Sequence, residues 1–136
     1  MRKRVVILAS GTGSLTQAIL DATELDIQIV AVVSDKSDAQ VLERAKKANI
    51  NTSVIELKGD RVAWDRQLFD QVHQYQPDLV ISAGFMKILS SEFVSNFPTI
   101  NSHPALLPEF PGAHAVRDAL AAGVTITGTT VHWVDA

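Results

Sequence analysis

The sequence contains no cysteine, which excludes disulfides, thiolate metal sites and a cysteine nucleophile together. It also lacks an excess of positive charge. Twelve Lys and Arg against fifteen Asp and Glu give a formal net charge of −3, so the basic footprint of a non-specific nucleic-acid binder is missing. The apolar run Val5 to Ala9 near the start is too short for a secretory h-region, and polar Gly-Thr-Gly-Ser soon follows it. No segment has the length needed to span a bilayer. Internal repeats, linkers and low-complexity tracts are absent as well. His114 and His132 have no carboxylate or cysteine at metal-ligand spacing, so no metal site is expected. These absences leave a cytoplasmic enzyme or binding protein, with no nucleic-acid or membrane partner.

What is present is ordinary in bulk and specific in detail. A chain of 136 residues is one domain by length and can bury roughly two-thirds of its unfolded surface. Arg4 to Ala9 is a continuous apolar run of the kind buried on both sheet faces. Ser14 to Ala22 reads as a helix opened by a serine cap, and Ile27 to Ser34 as a second strand. Residues 38–48 are helical, with Val41, Leu42 and Ala45 at core spacing, and Thr52 to Leu57 is a short strand. Residues 60–75 form an amphipathic helix with Asp60 as cap and Val62, Leu68, Phe69 and Val72 as apolar positions. Pro77 separates it from a buried strand over residues 78–83. Then come a short helix at Ser91 to Asn96, a strand at Thr99 to Asn101, a helix over residues 113–122 and a last strand over residues 125–134. Strands alternating with helices predict an α/β fold with a doubly wound, mostly parallel sheet. Such sheets bind ligands at the carboxyl ends of their strands.

Two segments fall at those ends. Gly11-Thr12-Gly13-Ser14 follows the first strand and opens the first helix. Its glycines permit a sharp turn, and free amides at a helix start attract an anion such as phosphate. A tight turn without a ligand is the other reading. The segment fails as a dinucleotide fingerprint because Thr16 stands at the third glycine position, and it lacks the Gly-Lys-Ser/Thr ending of a Walker loop. The second segment, Asn101-Ser102-His103-Pro104, sets an amide two residues before an imidazole. In extended backbone, residues i and i+2 project from one face, and the residue before proline is disfavoured in helix. Pro108, Pro111 and Gly112 stiffen the loop beyond Pro104. An oxyanion donor beside an acid/base is one reading, and polar groups satisfying a proline-rich turn is the other.

The stretch Asn-Ser-His-Pro-Ala-Leu-Leu-Pro-Glu-Phe-Pro-Gly-Ala-His, residues 101–114, resembles the signature of the folate-dependent formyltransferases, within them the branch acting on glycinamide ribonucleotide. The resemblance implies a Rossmann-like formyltransferase fold over residues 1–136 as a single domain. It implies formyl transfer from 10-formyltetrahydrofolate, as co-substrate, to the amine of glycinamide ribonucleotide in purine biosynthesis. By the same resemblance, Asn101 and His103 are catalytic, with Asn101 also meeting the formyl-folate. Gly13, Ser14 and Leu15 hold the substrate phosphate; the family often has asparagine where Leu15 stands, so only a backbone contact carries over there. Met86, Lys87, Ile88 and Leu89 line the folate pocket, largely through the backbone, where composition alone reads as apolar core with a glycine bend. Arg61 matches an arginine contacting the folate, where charge alone reads as a solvated side chain.

The family also has a catalytic aspartate just beyond the Val-His-Trp-Val strand, and the sequence stops at Asp135-Ala136, short of it. The expectation from this is a domain incomplete at its C-terminal end, with an open sheet edge and little activity as an isolated species, whether monomer or homodimer. Alternatives remain. Another folate-dependent formyltransferase or formyltetrahydrofolate hydrolase shares the Asn-x-His segment, although Phe110-Pro111-Gly112-Ala113-His114 differs from the Arg-Gly-Ala type of the tRNA and sugar enzymes. A non-catalytic nucleotide-binding module would instead use Asp35, at the end of the second strand, for a ribose.

Overall fold

Continuous β-branched runs make the strands, and those strands pair in parallel because helices return the chain each time. In the computed structural model, residues 3–22, 26–87, 89–102 and 131–133 are described. The elements are β1 (Lys3–Leu8), α1 (Ser14–Asp21), β2 (Ile27–Ser34), α2 (Gln40–Lys47), β3 (Asn51–Val54), α3 (Arg61–Tyr75), β4 (Leu79–Ala83), α4 (Ser91–Asn96), β5 (Thr99–Ser102) and β6 (Val131–Trp133). The strand order is β3-β2-β1-β4-β5-β6. The first five strands are mutually parallel, and β6 lies antiparallel to β5. The mostly parallel, doubly wound sheet expected from the sequence is therefore present. No helix among the described residues is long and apolar enough to cross a membrane.

Each sheet face has its own core. Leu15 and Ile19 of α1 and Val41, Leu42 and Ala45 of α2 cover Val5, Ile7, Val32, Ile81 and Ile100. Trp64, Leu68 and Val72 of α3, with Phe93 of α4 and Phe97 after it, cover Val6, Leu8, Ala31, Val33 and Val80. Trp64, Leu68 and Val72 recur every four residues, which lines one helix face. In β2 the alternation changes phase at Val30, because the register with β1 jumps from Val5↔Ile29 to Val6↔Ala31. That bulge lets Val30 and Ala31 both face the α3 side.

The helix ends correct three local readings. Ser14 is not a cap. It is the first residue of α1, and the cap position is Gly13 in the left-handed region, φ 82°, with no side-chain hydrogen bond. Val62 belongs to the solvent face of α3 at 76% exposure, because it stands two residues, about 200° around the helix, from the buried Trp64. The strand expected over 52–57 ends at Val54, where its partner β2 ends at Ser34. Asp60 does cap α3, its Oδ1 accepting from the Val62 N–H at 2.9 Å. At the other end of α3, Arg4 reaches from β1 and donates to the carbonyls of Tyr75, at 2.6 Å, and Gln76, at 3.1 Å, satisfying orphan acceptors of the last turn. The helix expected over 113–122 and most of the strand expected over 125–134 lie outside the described residues.

Burial separates these positions energetically. Ile7→Ala, at a fully buried site in the central strand, is expected to lower unfolding free energy by about 2–5 kcal/mol. Val62→Ala should change it by less than about 0.5 kcal/mol. Urea denaturation of the two variants measures both, and equal midpoints would contradict the placement of these side chains.

Candidate active site

Strands β1, β2 and β3 step to one side of the sheet, and β4 and β5 to the other. The direction of winding therefore reverses between β1 and β4, and the crevice of a doubly wound sheet opens at the carboxyl ends there. The chain leaves β1 through Ser10 and Gly11, β2 through Asp35, β4 through the segment 84–89, and β5 through Ser102.

The turn after β1 is shaped from behind. A Cβ on Gly13 would lie 2.5 Å from Cγ2 and 2.9 Å from Cα of Val41 in α2. Together with its positive φ, this contact makes glycine necessary. The Val41 N–H donates to the Gly11 carbonyl at 3.1 Å, and Arg44 Nε donates to the Thr12 carbonyl at 2.7 Å. Carbonyls held by α2 leave the amide side of the turn, at the positive end of α1, for an anion. Ser14 is exposed, while the Leu15 side chain is 6% exposed inside the core, so only its backbone is disposed toward a ligand.

At the adjoining strand ends the central feature is Asp35. Its side chain has no exposed surface. Oδ1 accepts from the Ser10 hydroxyl at 2.6 Å, and Oδ2 forms an ion pair with Lys87 Nζ. The Ser10 oxygen also accepts the Met86 N–H at 2.8 Å. Burial by itself pushes the Asp35 carboxyl up. The Lys87 and Ser10 hydrogen bonds and the ammonium charge outweigh it and hold the carboxyl below the ordinary carboxylate range. With both oxygens engaged and no exposed side-chain surface, Asp35 does not present a free carboxylate to the ribose of a dinucleotide.

Trp64 joins the remaining residues. Its ring stacks on Phe85 at 6.2 Å, and its indole N–H donates to the Ile55 carbonyl at 2.6 Å. The Arg61 guanidinium lies 4.8 Å from the Trp64 ring centroid and Lys87 Nζ 5.6 Å from it. Arg61 also pairs with Asp65, Nε to Oδ1 at 2.8 Å. Arg61, Phe85 and Lys87, distant in sequence, thus converge on one indole. Met86 is 70% exposed and Leu89 is half-buried.

Asn101 sits in β5, with Ser82 of β4 on one side and His132 of β6 on the other as register partners. Its backbone is therefore at the carboxyl-terminal half of the strand next to the 84–89 segment. Ile88 and His103 lie outside the described residues. Sequence reasoning missed Ser10, Trp64 and Arg44, and it weighed Asp35 only for another function. The available signal was positional: a small hydroxyl and a carboxylate immediately following two buried parallel strands.

Residues 3–136 match the formyl transferase family. The chain belongs to that family. A phosphoribosylglycinamide formyltransferase of Mycobacterium tuberculosis is 48% identical over 98% of this chain and 64% of its own length. The enzyme of that name from Escherichia coli is 44% identical over 96% of this chain and 65% of its own. This chain thus spans a little under two-thirds of these relatives. The crystal structure of glycinamide ribonucleotide transformylase 1 from Symbiobacterium toebii superposes with a TM-score of 0.77 at 38% identity, covering 99% of this chain and 67% of that one. The sheet is that of the Rossmann-like formyl transferase fold.

This geometry carries two expected outcomes. Gly13→Ala must displace α2 or the turn, and is expected to cost about 1–3 kcal/mol by the overpacking route alone, read by thermal or urea unfolding. The Asp35 carboxyl, depressed in the folded protein, contributes stability that is fully present above its unfolded value near 4 and is lost as pH falls through the folded value. The stability gap between the wild type and Asp35→Asn should therefore be widest near neutral pH. It should narrow on acidification below about pH 4, and a gap independent of pH in denaturation curves would contradict it.

Proposed function

We propose that this chain carries the substrate-facing part of a phosphoribosylglycinamide formyltransferase, moving the formyl group of 10-formyltetrahydrofolate to the amine of glycinamide ribonucleotide. What supports the reading is the meeting of three strand ends at the winding reversal. The anion-disposed turn at Gly13, Ser14 and Leu15 suits the ribonucleotide phosphate. The 84–89 segment, with Met86 outside and Phe85 and Leu89 packed inward, suits one wall of a slot for a flat heteroaromatic. Asn101 lies on the next strand.

In this reading the amine attacks the formyl carbon, an N–C bond forms, and the carbonyl becomes an oxyanion. Asn101 donates a hydrogen bond to that oxygen, whose charge is largest in the transition state. His103 shares the oxyanion and carries the proton released by the amine to the departing folate nitrogen as its bond to the formyl carbon breaks. Met86, Lys87, Ile88 and Leu89 border the folate through their backbone, and Arg61 supports its carboxylate-bearing tail. The protein works in the cytoplasm on small molecules, as a monomer or homodimer, without a metal and without a nucleic-acid or membrane partner.

The expected signature is a kcat effect. Asn101→Ala in the intact protein should reduce kcat roughly 10²–10³-fold with smaller changes in either KM, followed by tetrahydrofolate production with glycinamide ribonucleotide as acceptor. Formate release that needs no amine acceptor would instead establish a hydrolase.

A further inference from the structure

The segment after β4 is anchored more heavily than an ordinary surface turn. Gly84, at φ 74°, lets the chain leave the strand sideways. Phe85 is buried against Trp64, the Met86 N–H donates to Ser10 Oγ, the Lys87 ammonium meets Asp35, and Leu89 packs onto the core shared with α3 and α4. The Met86 side chain alone projects outward, at 70% exposure.

A buried ion pair is a poor device for stability, because desolvating two charges offsets most of their attraction. What it supplies here is geometry. Residue 86 is held through its backbone by Ser10, residue 87 through its side chain by Asp35, and Ser10 and Asp35 are bonded to each other. The ring of contacts closes across the ends of β1, β2 and β4, on both sides of the winding reversal. The Lys87 side chain is 19% exposed, and its ammonium is paired with a carboxylate that has no exposed surface.

Resting on the formyl-folate reading of this site, we propose that Lys87 is a positioning residue for the folate. Its side chain, with Asp35 and Ser10, sets the backbone of residues 84–87 against which the heterocycle binds, and its ammonium does not itself contact the ligand. The pair therefore governs folate affinity and leaves the phosphate turn, which α2 shapes independently through Val41 and Arg44, unaffected.

The test uses the intact protein, a non-reactive formyl-folate analogue for binding, steady-state kinetics, and hydrogen exchange at the Met86 amide. Lys87→Met should weaken the analogue roughly tenfold to a hundredfold, accelerate Met86 exchange, and leave the KM for glycinamide ribonucleotide within about twofold. Lys87→Arg, which keeps a cation for Asp35, should restore most of the affinity. If Lys87→Met does not fold, the double variant Asp35→Asn with Lys87→Met strands no charge and carries the same expectation. Unchanged analogue affinity, equal weakening of both ligands, or unaltered Met86 exchange would each overturn the positioning role. A wild type that binds no formyl-folate analogue, yet whose Met86 exchange still responds to Lys87→Met, would overturn the formyl-folate reading while the anchoring of the segment stands.

Discussion

Asp35 is a carboxylate with no exposed side-chain surface, and a charge so placed needs a partner on each oxygen to be tolerated. The partners come from elsewhere in the chain. Ser10 arrives from the end of β1 and Lys87 from beyond the end of β4. The electrostatic requirement of one side chain thereby ties residues 86 and 87 to the ends of β1 and β2.

The two halves of the crevice are built by different means. At the glycine turn, packing dominates: Val41 fills the space a Gly13 side chain would occupy, and Arg44 and Val41 hold the turn by its carbonyls. At the segment after β4, charge and aromatic contacts dominate, with Trp64 near Phe85, Arg61 and Lys87. Rigid backing on both sides suits the formyl transfer proposed above, which would rely on orientation and on fixed hydrogen-bond donors.

Legibility in the sequence tracks the range of the interaction. Ile27 to Ser34 was readable as a strand because the run is rich in β-branched apolar residues, and its observed bounds are the same. Asp60 was readable as a cap because capping is a contact two residues long. Ser14 misled because a serine before an apolar helical pattern is ordinarily a cap, whereas here Val41, from a different helix, forces Gly13 into that place. Val62 misled because an apolar residue in an amphipathic helix reads as core, whereas the buried stripe of Trp64, Leu68 and Val72 lies on another face. Arg61 and the 84–89 segment were flagged separately through family resemblance, and nothing local indicated that Trp64 would bring them together.

The amino-acid sequence by itself determined the alternation of strands and helices, the doubly wound class of the sheet, and the location of the glycine turn and the Asn101 segment at strand ends. These depend on periodicity, turn chemistry and short hydrogen-bonded contacts. Only the tertiary structure decided that Lys87 answers Asp35 across 52 positions, that Ser10 serves both Asp35 and Met86, and that β6 closes antiparallel on β5. A long flexible ammonium can satisfy its charge in many directions, and the direction taken is set by which buried carboxylate the folded sheet places within its reach.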